Sequence, residues 1–188
     1  MFSRSVLIPK VVWLIITVTT LLVTAQTPKP VPITVDQVTA EVYFSPRGGC
    51  TAAVVREIDC VGTGDEILLQ GYSFTSRPIS TALVKAVERG VTVRAVLDAK
   101  TNDDPDRTEG DELAEAGATV LWDKSHAIAH DKVMTIGTNT VITGSFNWSA
   151  AAEKSNGENL LVLRGKELTE RYRANWRKHR DHAVRAEY

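Results

Sequence analysis

His130 and Lys132 stand two residues apart where an apolar run, residues 132–136, begins. On an extended strand alternate side chains share a face, so the imidazole and the ammonium point the same way while Asp131 points away. The spacing repeats at Ser145 and Asn147, just past a second apolar run at 140–143, and Gly137-Thr138-Asn139 between the runs reads as a hairpin turn. Hairpin pairing sets these four polar groups side by side, and Glu158-Asn159 opens a further strand within reach.

This set suits chemistry at phosphorus. An imidazole can attack phosphorus or protonate a leaving oxygen, a lysine and amide donors can hold the charge of a pentacoordinate phosphorane, and a carboxylate can fix the imidazole tautomer. None of these roles needs a metal or an organic cofactor, and none is expected. His126 and His130 have a spacing that binds zinc on a helix, but no Glu follows His126 and the segment leads into a strand, so no zinc site is expected. His179 and His182 are expected to serve structure or surface, and Trp148 and Trp176 the core. Tyr72 and Phe74 either line a substrate groove or pack a strand face, the second being the default.

His130-x-Lys132, then Gly144-Ser145-x-Asn147, then Glu158-Asn159, resembles the HKD motif of the phospholipase D superfamily, in particular its short, single-motif bacterial Nuc-type endonucleases. The likeness extends to Phe44-Ser45-Pro46, to Tyr72-Ser73-Phe74-Thr75-Ser76 and to the last helix. It implies catalytic roles for His130, Lys132, Ser145, Asn147 and Glu158, and phosphodiester hydrolysis through a phosphohistidine. A metal-independent, non-specific endonuclease is the leading implication, phospholipase D action on phospholipid head groups the alternative, and an inactive nucleic-acid-binding module the third. The family pairs two motifs at one site, whereas this chain has one motif and no internal repeat. The resemblance therefore implies a two-fold homodimer with His130 of each chain at a shared site, the two imidazoles titrating as a coupled pair. One position departs: the family's motif aspartate is Gly137 here. Either Glu158 alone orients His130 and activity survives, or the protein is weakened or inactive; the retained nucleophile, cation, amide and orienting carboxylate favour activity.

The elements that must hold these residues follow from periodicity. Residues 41–44 read as a strand, 51–61 as a helix, 66–74 as extended, and Ser76 with Pro78 opens a helix that Gly90 stops. A strand at 91–97 completes βαβαβ order. Strands at 118–122 and 160–163 and an amphipathic helix from 166 follow. The expectation is an α/β domain: a mixed β-sheet flanked by helices on both faces, with the phospholipase D-like fold implied by the resemblance. Cys50 and Cys60 bracket a helix too long for a disulfide to span and are expected to be free and buried.

Composition agrees with one globular domain. Of 188 residues 43% are hydrophobic and 24% charged, which excludes collagen-like, disordered and disulfide-dense chains. A net charge of −1 neither marks nor excludes a nucleic-acid binder. The charge is uneven: residues 98–115 are acidic, whereas 164–185 are basic and read as either a solvated face or a polyanion-contact face. Arg4 and Lys10, an uncharged apolar stretch and Val23-Thr24-Ala25 have the three parts of a secretory signal. The expected organisation is a signal at 1–25, an extended leader at 26–38 and the phosphodiesterase domain at 39–188, exported to the periplasm or secreted, with an uncleaved membrane anchor as the alternative.

Overall fold

A computed structural model describes residues 38–185 other than 103, 105 and 106. The expected signal and, but for residue 38, the leader lie outside the described residues.

Residues 67–69 are apolar at every position, the pattern of a strand covered on both faces. They lie in β2 (Glu66–Gly71), near the middle of a mixed sheet, buried from Ile67 to Gly71. β2 pairs in parallel with β3 (Thr92–Asp98), which pairs in parallel with β4 (Thr119–Asp123). On its other side β2 pairs antiparallel with β5 (Lys132–Ile136), the hairpin partner of β6 (Thr140–Gly144). β7 (Glu158–Arg164) and β1 (Thr39–Ser45) complete that half, and the two-residue β8 (Val184–Arg185) borders β4. Among the described residues the strand order is β1-β7-β6-β5-β2-β3-β4-β8.

Alternation along β2 divides the core. Ile67 and Leu69 join the main cluster, which takes in buried faces of α1 (Cys50–Asp59), α2 (Arg77–Glu88) and α3 (Gly110–Glu115). Leu68 points the other way and, with Val96, meets Trp176 of α5 (Lys166–His182). The main cluster is large, whereas the α5 cluster has three buried residues with Leu121 and Ala183 at its margin. Each buried aliphatic or aromatic side chain contributes about 1.5–3 kcal/mol, so apolar burial fastens α5 far less than the helices opposite. Polar bonds make up part of the difference: the Trp176 indole donates to the Leu69 carbonyl at 2.9 Å, and Arg173 bridges to Glu66 at 2.5 Å.

The expected single α/β domain with helices on both faces is what forms, with corrections. β1 does not neighbour β2 but lies at the far edge beside β7, where Glu41 accepts from Arg164 at 2.6 Å and Arg56 at 2.9 Å. The Tyr43 hydroxyl and the Arg164 guanidinium hold the Glu41 carboxyl down to about 2. A short helix not expected from periodicity, α4 (Ala150–Lys154), starts where Ser149 Oγ accepts the Ala152 amide at 3.3 Å. Cys50 is buried as expected, and burial pushes its thiol up to about 11, but Cys60 is exposed because the helix ends one residue before it.

Candidate active site

Strand directions gather one set of termini along one edge of the sheet. The ends of β1, β2, β3, β4 and β6 and the starts of β5 and β7 all meet there. This edge receives all five residues singled out from the sequence: His130 and Lys132 where β5 begins, Ser145 and Asn147 after β6, and Glu158 at the first position of β7.

The loop that delivers His130 is anchored at two buried carboxylates. Asp98, ending β3, accepts the Ala129 amide at 2.8 Å, and Asp123, ending β4, accepts the amides of Ser125 and His126 at 3.0 and 3.2 Å. Both aspartates are 2% exposed. From this anchored loop His130 emerges exposed, its ring centroid 4.7 Å from that of Tyr72. Lys132 is its opposite: 6% exposed, it donates from Nζ to the His130 carbonyl at 2.7 Å and lies 5.2 Å from the Tyr72 ring centroid. Burial pushes the Lys132 ammonium below its usual range, while the carboxylates of Asp131 and Glu158 pull it partly back. An accessible imidazole therefore stands beside an immobilised cation.

β6 and β7 are joined by a reciprocal clasp. The Ser145 amide donates to Asn159 Oδ1 at 3.2 Å and the Asn159 amide donates to Ser145 Oγ at 3.1 Å. Gly144 makes this possible: its φ is 151°, and a Cβ there would lie 2.3 Å from the Asn159 carbonyl oxygen. Asn147 Oδ1 is buried without a hydrogen-bond partner among the described residues. Glu158 accepts from Asn156 at 3.0 Å, and its register partner Ser45 donates to the Asn156 carbonyl at 3.0 Å.

The geometry alters two expectations. Among the described residues no hydrogen bond joins Glu158 to His130, because β6 lies between their strands and separates them by about 10 Å. Glu158 reaches the centre through its field on Lys132 instead. Gly137 follows the far end of β5, about 16 Å along the strand from Lys132, so an aspartate there could not touch the reacting groups. Its amide donates to Glu66 and its carbonyl accepts from Arg173 at 3.0 Å, a structural junction under the hairpin.

Sequence reasoning left Tyr72 open and did not single out Asp98, Asp123 or the clasp made by Asn159. Asp98 and Asp123 carried an available signal: each ends a parallel strand, where open α/β sheets place their functional crevice. The basic final helix is largely answered by acids, with Arg171 on Glu167, Arg173 on Glu66 and Glu170, Arg177 on Glu170 and Arg180 on Asp181. His179 and His182, expected to serve structure or surface, converge on Asp123 together with His126, for which only a zinc pairing with His130 was weighed.

Known proteins resemble this chain along most of its length. The family model described as cardiolipin synthase, PLD-like domain, matches residues 58–180. A phospholipase D of Rickettsia felis is 41% identical over 133 residues, covering 71% of this chain, and the chain spans 65% of that relative's length. A mitochondrial cardiolipin hydrolase of Xenopus laevis is 29% identical over 141 residues, 71% of this chain and 65% of that protein. The crystal structure of Nuc from Salmonella typhimurium, a phospholipase D family member, superposes with a TM-score of 0.74 at 33% identity, over 80% of this chain and 99% of that one. NucT from Helicobacter pylori shares the fold, with a TM-score of 0.73 at 21% identity over 79% and 99% of the two chains.

Proposed function

The chain belongs to the phospholipase D superfamily, and from that premise we propose that it is a phosphodiesterase working through a phosphohistidine on His130, with nucleic acid as its substrate. The observation that carries this reading is the contrast between His130, exposed and free to approach phosphorus, and Lys132, buried and clamped to the His130 carbonyl. In the first step the imidazole attacks phosphorus, a P–N bond forms, and the P–O bond to the leaving group breaks. The leaving oxygen takes its proton from a second imidazole. That imidazole then removes a proton from water, the resulting hydroxide displaces His130, and the enzyme is restored. Lys132 with Ser145 and Asn147 offers donors to the non-bridging oxygens, where negative charge grows.

The second imidazole comes from His130 of a second copy of the chain. Supporting this, β1 is a sheet edge among the described residues, beside the site, and exposes Val42 at 51% and Phe44 at 65%, apolar surface that a two-fold partner would cover.

Nucleic acid is favoured by the rim. Exposed Arg47, Lys100, Lys124 and Lys154 follow or flank strand ends at the same edge as His130, a distribution suited to backbone phosphates read without base contacts. A phospholipid head group is the second reading, favoured by Ile128, 57% exposed two residues before His130, and by the relatives' names. The expected signal would place either activity outside the cytoplasm.

The test sets purified protein against plasmid DNA and against phosphatidylcholine or cardiolipin vesicles in parallel, in buffer free of Mg²⁺, with His130→Ala as control. DNA cleavage that His130→Ala abolishes supports the proposal. Lipid turnover without DNA cleavage overturns the substrate, and turnover of neither overturns the activity.

A further inference from the structure

One oxygen of a buried carboxylate is the meeting point of three imidazoles. Asp123 Oδ2 lies 2.9 Å from His126 Nδ1, 3.2 Å from His182 Nε2 and 3.3 Å from His179 Nδ1. The other oxygen, Oδ1, is occupied by the amides of Ser125 and His126, so the carboxylate presents a single oxygen to the three rings. The four ligand atoms all lie within 4.8 Å of one another. We propose that Asp123, His126, His179 and His182 bind one divalent transition-metal ion of the zinc class, at a site separate from the reacting residues.

The spacing suits such an ion. Tetrahedral zinc with bonds of about 2.0–2.2 Å holds its ligand atoms about 3.3 Å apart, and the three carboxylate–imidazole separations already fall near this value. Imidazole nitrogens select zinc and its neighbours over calcium or magnesium, which take oxygen. The far nitrogen of His179 faces Asp131 Oδ2 at 3.7 Å, and Asp131 accepts from Gln70 at 3.3 Å. A metal-bound histidine backed by a carboxylate is a recurrent arrangement that orients the ring.

With four protein ligands the ion would hold structure rather than activate water. Its ligands come from the end of β4, the loop leading to His130 and the C-terminal turns of α5. The ion would thereby pin the loop carrying the nucleophile to a helix with few apolar anchors.

The test uses the untagged full chain, stripped of metal, then loaded with Zn²⁺ or with Co²⁺ as a spectroscopic probe. One equivalent retained through gel filtration, a raised Tm and the intense visible absorption of tetrahedral cobalt are expected. The more exposed ligands are changed as His126→Gln and His182→Gln, which spare the buried Asp123, with circular dichroism checking the fold. Each weakens binding about a hundredfold, at least what disturbing a ligand's supporting partner costs. No retained metal, a pale octahedral cobalt spectrum, or undiminished binding by the folded double variant would overturn the proposal.

Discussion

Lys132 reaches back along its own strand to donate to the carbonyl of His130 at 2.7 Å, which ties the cation to the backbone of the proposed nucleophile. Changing Lys132 to Met keeps the length of the side chain and removes the charge. Loss of a fixed donor at developing charge lowers kcat by about 10²–10³. Stability is expected to hold or rise, since an apolar side chain no longer carries the cost of a buried ammonium. Steady-state kinetics and thermal unfolding of the same preparation separate the two effects.

The pH profile should carry the same signature. Burial lowers the Lys132 ammonium from its ordinary value of 10.5, so as pH rises it loses its proton earlier than an exposed lysine does. Activity is expected to fall on an alkaline limb that begins below 10.5. Glu158→Gln removes one of the two carboxylates that hold the proton on, and should move that limb to lower pH.

Replacing Gly137 with the family's aspartate should restore nothing. Gly137 has φ of 57°, which costs a side chain about 1–2 kcal/mol, and a Cβ there would lie 3.8 Å from Asp65 Oδ1, a like charge. Gly137→Asp is expected to lower Tm and leave kcat unchanged, read by calorimetry and initial rates.

The proposed sharing of the site between two copies makes its own prediction. Phe44→Glu puts a charge on the exposed apolar edge without touching the core. Light scattering should report monomers, and activity should fall with dimer content and recover in part at high protein concentration. A fully active monomer would exclude the second chain from the reaction.

Local patterns made much of the molecule legible. Two-residue spacing placed His130 with Lys132, the Gly137-Thr138-Asn139 turn gave the hairpin, and Trp148 and Trp176 are buried as expected. What escaped depends on contacts distant along the chain. The edge position of β1 comes from its ladder with β7, far along the chain, and one carboxylate joins Asp123 to His179 and His182 across more than fifty residues. Glu158 illustrates the same limit: the hairpin of β5 and β6 was readable, whereas the place of β6 between β5 and β7, which sets Glu158 a strand further from His130, was not.

The most direct test is to stop a single turnover of a labelled oligonucleotide within its first phase and identify the modified residue by mass spectrometry. A nucleotidyl adduct on His130, absent in His130→Ala and lost when water completes the cycle, is the result this account predicts. Complete cleavage with no adduct on His130 at any time, or an adduct on another residue, would contradict it.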